Sequence, residues 1–337
     1  MILGDSLEKL VNVSVAYSNI PLGLVTVVIV NWNGGAFLQQ CLDKLQTQTL
    51  APQKILVVDN ASTDGSAEVI TRTYNVSLLK NDSNLGFAGG NNYAFNLIDT
   101  EFVALLNPDA FPEPDWLENL LVAANKYPEV VAFGSRQMVC GQAGVVDGLG
   151  DVYHLSGLVW RQGYGQELDD KKMISGDIFS PCAGAALYRT KAVKEVGGFD
   201  DDFFCYVEDV DLGFRLRLAG YKSMYISNAV VYHVGSAITG KKSDFSIYHG
   251  HRNLVWVFVK NMPGILFWLL LPIHLFMNLG SVFYFLFKGK GKVILHAKWD
   301  ALRGVPKMWK KRRVIQDKRV ASIIQIWRII DKRIILF

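Results

Sequence analysis

Cysteine is scarce in this sequence, and what there is does not cluster. Cys41, Cys140, Cys182 and Cys205 lie far apart. No pair has the short spacing of a structural zinc site, and the four read as buried thiols of a reducing compartment. The first residues carry no basic stretch followed by a long apolar run, so no cleavable signal is expected. Asn-x-Ser triplets such as those beginning at Asn12, Asn75 and Asn81 are then chance matches. Acidic residues are sparse at one end. From Lys288 onward fifteen Lys and Arg residues stand against Asp300, Asp317 and Asp331, a local net charge of +12. The whole chain is only +4, which leaves −8 for the remainder. An acidic body with a basic tail calls for an anionic partner, and nucleic acid or an anionic membrane are the usual two. No nucleic-acid-binding motif accompanies the basic residues, so the membrane is the expected partner. Apolar residues, by contrast, make up half of the 337, enough for one large domain or two ordinary ones.

Residues 1–22 are weakly patterned and read as a leader packing on the outside. Residues 24–30 form a β-branched run suited to a strand buried on both faces of a parallel sheet. The run ends at Asn31-Trp32-Asn33-Gly34-Gly35, a turn that opens a helix through Thr47. Residues 54–58 repeat the pattern and end at Asp59, after which Thr63 or Asp64 can cap the next helix. A third strand over 76–79 leads to Asn84-Leu85-Gly86-Phe87-Ala88-Gly89-Gly90-Asn91-Asn92 and another helix. A fourth, over 102–106, ends at Asn107-Pro108-Asp109. Strand, loop and helix repeated three times predict a doubly wound α/β sheet. Ligands of such sheets bind beyond the carboxyl ends of the strands. Asn33, Asp59, the glycine loop and Asp109 all fall at that edge, which predicts one nucleotide-sized site built from four strand ends.

Residues 136–165 are rich in Gly, Tyr and Trp without clear period, and predict an irregular hairpin near where an acceptor would enter. Residues 174–188 look like strand material around Cys182-Ala183-Gly184-Ala185-Ala186, whose small side chains allow close approach of a ligand or backbone. A short helix over 190–196 is stopped by Gly197-Gly198. Three carboxylates then fall within four positions, Glu208, Asp209 and Asp211, in an aromatic and aliphatic run. A helix over 207–218 puts Val210, Phe214 and Leu218 on one buried stripe and Glu208, Asp211 and Arg215 on another face. Asp209 sits near its start, where free backbone N–H groups and the helix dipole favour an ionised carboxylate. In a cleft, that is a good place for a general base. The same residues also read as a capped helix with an ordinary Asp211–Arg215 pair. Two short strands, 223–226 and 229–232, deliver His233.

Taken together, Val27-Val28-Ile29-Val30-Asn31-Trp32-Asn33-Gly34, Val58-Asp59-Asn60-Ala61-Ser62-Thr63-Asp64-Gly65-Ser66, Asn107-Pro108-Asp109, Glu208-Asp209-Val210-Asp211-Leu212 and His233 resemble family 2 glycosyltransferases. The resemblance spans roughly residues 24–240. It implies an α/β fold of the GT-A type, a Rossmann-like, doubly wound mixed sheet over residues 23–240. A C-terminal helical, membrane-associated region over 241–337 would follow. Asn84-Leu85-Gly86-Phe87-Ala88-Gly89-Gly90-Asn91 with Asn107-Pro108-Asp109 is similar to bacterial rhamnosyltransferases that extend a polyprenyl-diphosphate-linked sugar.

The family implies an inverting, metal-dependent transfer with no enzyme nucleophile. Asp209 would be the general base, and Glu208 the alternative base or the group that orients the acceptor. Asn33, Asp59, Asn84, Gly86, Gly89, Gly90, Asn91 and Asn107 would surround the nucleotide sugar. Asp59 would accept from a pyrimidine N–H or a ribose hydroxyl; as a bare sequence feature it is also a helix-capping residue, though Asp64 is better placed for that. Asp109 and His233 would hold Mn²⁺ or Mg²⁺ against the diphosphate. Asn107 replaces the first acid of the family's Asp-x-Asp motif, which lowers the expected metal affinity, and Asn-Pro also reads as a plain turn. A lone histidine at a strand end is also a common structural residue. The implied donor is dTDP-rhamnose and the implied acceptor a lipid-diphosphate sugar. A UDP-hexose transferase, or a silent sugar-nucleotide binder with Asn107 as its lesion, are the rival readings.

His249-Gly250-His251-Arg252-Asn253 follows. On a helix, i and i+2 do not share a face, so the two histidines are not a metal pair. Arg252 can clamp a diphosphate bidentately, or simply lead into the next segment. Residues 261–287 carry no charged side chain and are long enough to cross a bilayer. A crossing would put the basic tail on the far side from the catalytic domain, against the positive-inside bias. The expectation is therefore a helical pair folded at Pro272 and dipping into one leaflet. Behind it, amphipathic helices bearing Trp299, Trp309 and Trp327 would lie on an anionic surface. That describes a peripheral or monotopic protein on the cytoplasmic face of the bacterial inner membrane. A transmembrane helix or a homo-oligomer interface would cover the same residues.

Overall fold

The computed structural model describes residues 25–169, 173–235 and 243–333. The expected leader over 1–22 and the expected domain boundary at 240 lie outside them. The first half runs β1 (Val25–Asn31), α1 (Gly35–Gln46), β2 (Lys54–Asp59), α2 (Ser66–Thr73), β3 (Ser77–Lys80), α3 (Gly86–Phe95) and β4 (Phe102–Leu106). These four strands pair in parallel in the order β4-β1-β2-β3. Each side chain's face follows from the two-residue period of a strand. Val25, Val27 and Ile29 of β1, with Phe102, Ala104 and Leu106 of β4, pack on one side against Leu38, Leu42 and Leu45 of α1. Val28, Val103 and Leu105 pack on the other against Ala88, Ala94 and Phe95 of α3. Burial on both faces is what the unbroken β-branched runs encode.

The second half makes the sheet mixed. It comprises β5 (Ala110–Pro112), α4 (Trp116–Lys126), β6 (Val130–Val139), β7 (Val146–Gly148), β8 (Asp151–Tyr153), β9 (Val159–Arg161), β10 (Gly176–Asp177), β11 (Ala185–Arg189), α5 (Thr190–Glu195), α6 (Glu208–Leu218) and β12 (Lys222–His233). Strand β11 runs antiparallel between β4 and β6, and β12 pairs β6 in parallel. The two strands expected over 223–232 are one strand, because β12 keeps pairing with β6 across a register shift between Ile226 and Val230. The material expected as strand over 174–188 is split instead into two strands, β10 on β12 and β11 on β4. The expected irregular hairpin contains β8 and β9, paired antiparallel with Asp151 opposite Arg161.

Helix α6 is buried on every side. Leu212 and Leu216 face the sheet, while Val210, Phe214 and Leu218 face the C-terminal helices. Those helices are α7 (Asp244–Asn261), α8 (Gly264–Phe287), α9 (Gly291–Asp317) and α10 (Ile323–Ile329). The pair expected to fold at Pro272 is a single helix, α8, running through that proline. The chain turns at its ends instead, where Gly264 and Gly289 adopt positive φ. Helix α9 comes back along α7, with Trp256 Nε1 donating to Ala301 O at 3.0 Å. Gly304 permits that approach, since a Cβ there would meet the Trp256 ring at 2.5 Å.

Candidate active site

A cleft of about 640 Å³ opens beyond the carboxyl ends of β1, β2 and β4, of the size that takes a cofactor or drug-sized ligand. One wall comes from those strand ends. Asn107, Pro108 and Asp109 line it, with Trp32 and Asn60 beside them. The topology then brings in His233. Strand β12 pairs β5 so that His233 lies opposite Ala110, and Val234 N–H donates to Asp109 O at 3.0 Å. His233 Nε2 lies 3.2 Å from Asp109 Oδ1 and 3.4 Å from Asn107 Nδ2. Its other ring nitrogen, Nδ1, lies 2.8 Å from Asp147 Oδ2. Burial pulls the imidazolium down, but hydrogen bonds to the Asp109 and Asp147 carboxylates outweigh it, so its pKa stands above the ordinary value.

This donor set fits a divalent ion in part. Among the described residues no three His, Cys, Asp or Glu side chains form a complete metal cluster. Asp109 and His233 are nonetheless adjacent and both line the cleft. A carboxylate behind the second nitrogen is the arrangement that fixes a metal-binding imidazole. Hard ions at diphosphate sites take one or two protein ligands and complete their shell from phosphate and water.

The opposite wall carries the other carboxylates. Asp209 sits in the first turn of α6. Its Oδ2 accepts from Ala183 N–H at 3.2 Å and its Oδ1 from Val210 N–H at 2.8 Å. Burial raises its pKa, while those N–H groups and the Arg161 guanidinium hold the rise back. Glu208 is raised well above the carboxylate range, by burial and then by Asp209. Its Oε2 has no hydrogen-bond partner among the described residues. Asp151, also in the cleft, is raised for the same two reasons. The loop of residues 182–184 joins the two walls, since Gly184 O accepts from Asn107 N–H at 2.8 Å while Ala183 binds Asp209. The small residues there serve backbone approach, as a Cβ on Gly184 would meet Asn107 Nδ2 at 3.1 Å.

The expected site residues thus divide. Asn84, Gly86, Asn107, Asp109, Glu208, Asp209 and His233 all line the cleft. Asn33 and Asp59 are not part of its lining and tie two loops together. Asp59 accepts from Asn31 Nδ2 at 2.9 Å, and Asn33 Oδ1 accepts from Thr63 N–H at 2.8 Å. Gly89, Gly90 and Asn91 fall inside α3. A Cβ on Gly90 would strike Val30 at 2.7 Å, so that glycine lets the helix pack on β1. Arg252 stands outside the cleft lining. It donates to Asp202 O and Phe203 O at 3.0 Å each and lies over the Trp256 ring at 4.3 Å. His249 and His251 diverge, one onto Phe204 and the other onto Phe285.

Sequence reasoning missed Asp147, Asp151, Trp160 and Arg161, which the β7–β9 insertion delivers. Arg161 Nη1 donates to Asp147 Oδ2 at 2.6 Å, and Trp160, Arg161 and Asp151 line the cleft on the Asp209 side. A signal was present. Asp147 and Asp151 are the only Asp, Glu, Lys or Arg residues between Arg136 and Arg161, and isolated charges in an apolar stretch are buried only when paired.

A family model described as glycosyl transferase family 2 matches residues 26–197. The N-acetylglucosaminyl-diphospho-decaprenol L-rhamnosyltransferase of Mycobacterium tuberculosis is 30% identical over 265 residues, covering 71% of this chain and 84% of that protein. The O-antigen chain rhamnosyltransferase RfbN of Salmonella typhimurium is 26% identical over 214 residues, 62% of this chain and 66% of its own. Among solved structures, the mannosyltransferase PcManGT from Pyrobaculum calidifontis in complex with GDP-Man and Mn²⁺ aligns with a TM-score of 0.55 at 17% identity. That alignment covers 95% of this chain and 94% of that one. GalNAc-T7 with UDP, GalNAc and Mn²⁺ aligns at 0.56 and 15% identity, covering 71% and 48% respectively. The structural likenesses carry the fold, which is GT-A.

Proposed function

The chain belongs to glycosyl transferase family 2, and from that starting point we propose that it transfers rhamnose, from dTDP-rhamnose, to a polyprenyl-diphosphate-linked sugar with inversion at the anomeric carbon. The observation that carries the reading is the pair of facing walls. Asp109 and His233 stand on one and Asp209 and Glu208 on the other, joined by residues 182–184. The diphosphate of the donor would lie on the Asp109 side and the acceptor hydroxyl on the Asp209 side. The acceptor oxygen attacks the anomeric carbon from the face opposite the diphosphate. Asp209 takes its proton, and the bond from the anomeric carbon to the phosphate oxygen breaks with its electrons on that oxygen. Mn²⁺ or Mg²⁺, held by Asp109 and His233, would supply positive charge for the departing diphosphate. Asn107 can donate from its amide to the same oxygens. Glu208, with one oxygen free, would orient the acceptor sugar.

The acceptor half of the cleft supports a lipid-linked substrate. Its aromatic lining passes from Trp160 through Phe204 and Tyr206 to Phe245, Tyr284 and Phe285, the last two on α8. Helix α8 is the one described helix long and apolar enough to cross a membrane. Its outer face is uncovered, with Trp268 63%, Phe276 71% and Phe287 89% exposed. Leu295, Trp299 and Leu302 extend exposed apolar surface onto α9. Helix α9 nevertheless returns to the catalytic body, where Lys307 reaches Asp202 at 2.6 Å. Both ends of α8 therefore stay with the body, which favours in-plane docking on the cytoplasmic face over a single crossing.

The test is transfer from a panel of nucleotide sugars to a polyprenyl-diphosphate N-acetylglucosamine in detergent, with Mn²⁺ and with Mg²⁺. We expect dTDP-rhamnose to be used and the product to carry the inverted anomer by NMR. A preference for a UDP-hexose would replace the donor, and retention of configuration would sink the mechanism. Asp209→Asn should lower kcat by about 10²- to 10⁴-fold at unchanged donor affinity; a silent binder would bind the donor but show no transfer even as the wild-type protein.

A further inference from the structure

The residues just before the two catalytic carboxylates hold a backbone that L-amino acids avoid. Phe204 adopts φ 64 and ψ −66, the rare φ-positive γ-turn. Cys205 N–H closes it by donating to Phe203 O at 2.7 Å. Tyr206 and Val207 follow, both at φ 67. For β-branched Val207, the residue that starts α6, such a value is a genuine outlier. Strain of this kind persists only where the surroundings over-determine it.

The surroundings here are two side chains of α7. Asn253 is fully buried, and the two N–H groups of its Nδ2 are shared among three carbonyls, Phe203 O and Cys205 O at 3.0 Å each and Tyr206 O at 2.7 Å. Its Oδ1 accepts from Arg252 Nε at 3.0 Å, so the amide cannot turn over. Arg252 itself donates to Asp202 O and Phe203 O. The second jaw is the start of α3. Ala88 N–H donates to Phe204 O at 3.1 Å, and a Cβ on Gly86 would meet that oxygen at 2.3 Å. The loop is held from both sides, and the carboxylates follow it directly.

We infer that Asn253, buttressed by Arg252, is a positioning residue for Asp209 and Glu208: it keeps the Phe203–Val207 turn in its strained form and so aims both carboxylates into the cleft. The inference rests on the glycosyl-transfer reading. It also joins the docking helices to the chemistry, because α7 runs into α8 with only Met262 and Pro263 between them.

The experiment compares Asn253→Ala with the double variant Asn253→Ala/Val207→Gly. The readouts are kcat, dTDP affinity by calorimetry, and the rate at which iodoacetamide labels Cys205, which lies in the turn. Misplacing a catalytic group by about 1 Å costs about 10²-fold, so Asn253→Ala should lose about 10- to 100-fold in kcat, keep dTDP affinity within about twofold, and label faster at Cys205. Glycine takes positive φ without penalty, so the double variant should recover a large part of the lost kcat and slow the labelling. If Asn253→Ala fails to fold, Arg252→Lys, which breaks the fork but leaves the amide, should show a smaller loss of the same pattern. Wild-type kcat in a folded Asn253→Ala overturns the inference. So does a loss of kcat and dTDP affinity together that Val207→Gly does not relieve, or an unfolded Asn253→Ala beside an Arg252→Lys with wild-type kcat. A wild-type protein that transfers no sugar overturns the underlying reading instead, whatever the labelling shows.

Discussion

Asp209 carries a backbone N–H on each carboxylate oxygen, whereas Glu208 beside it has one oxygen with no hydrogen-bond partner among the described residues. That difference sorts their roles, because hydrogen bonds to the ionised form favour it and bare burial disfavours it. Asp209 is still raised above the ordinary aspartate range by burial. A base works deprotonated, so activity should fall as pH drops through this raised value. The acid limb of kcat/KM should lie above about pH 3.9, the unperturbed aspartate value. Glu208 and Asp151 titrate with it, so the limb belongs to the set. Removing the cation that restrains the rise, by Arg161→Gln, should move the limb to higher pH; an unmoved limb would detach Arg161 from the base. On the other wall, Asp147 fixes His233 through Nδ1. Asp147→Asn should weaken Mn²⁺ binding by about 10- to 100-fold, as read by the free-ion EPR signal in the presence of dTDP. Equal binding would show that His233 needs no such partner.

At the scale of elements, α6 is pinned between the sheet and the C-terminal helices by a buried ion network. Lys260 of α7, 1% exposed, binds Asp200 at 2.6 Å and Asp211 at 2.7 Å. Asp211 also takes Arg215 at 2.8 Å and Asn261 at 2.7 Å, so the i,i+4 pair read from the sequence is one edge of a larger structure. From α9, Lys311 reaches Asp200 and Asp202. Removing one member of a buried pair typically costs about 3–5 kcal/mol, because the remaining charge is left without a counterion. Lys260→Met takes one cation from each of two carboxylates, while Lys311 still serves Asp200 and Arg215 still serves Asp211, so it should destabilise by less than that full cost in denaturant unfolding. Burial raises Asp200, but Lys260 and Lys311 outweigh it and hold its pKa well below the usual range. A depressed folded pKa gives stability that is full above the unfolded value of about 3.9 and lost as pH falls below it. Below about pH 4, α9 should loosen before the sheet does, with protection of its amides from hydrogen exchange lost first. Simultaneous loss of both would mean that α9 carries no separate acid sensitivity.

For the whole molecule, the cleft and the uncovered face of α8 adjoin, since Tyr284 lines the first and is exposed on the second. An exposed apolar face of this extent marks an interaction site. Trp268→Glu with Phe276→Glu should abolish flotation with anionic vesicles and leave transfer to a short-chain, water-soluble acceptor within about twofold. Flotation of the native protein should weaken but persist in high salt, because only the attraction of the basic tail is screened. Complete loss in salt would make docking purely electrostatic.

Residues 25–31 and 102–106 declared their strands because burial on both faces requires an unbroken apolar run, and that pattern is local. The edge of the sheet where the cleft opens followed from the same runs, as did the acidic start of α6 and the uncharged stretch that became α8. Tertiary structure alone decided what surrounds them. His233 meets Asp109 because β12 pairs with β5, a relation between segments more than a hundred positions apart. Asp147 and Arg161 join the site through the shape of an insertion that has no period. Helix α8 runs through Pro272 because the chain finds its turns at Gly264 and Gly289 and its neighbours in α7 and α9. A side chain's type and period are written along the chain, but its partner is chosen by packing, and Arg252 is bound to the turn beside Glu208 and Asp209 for that reason.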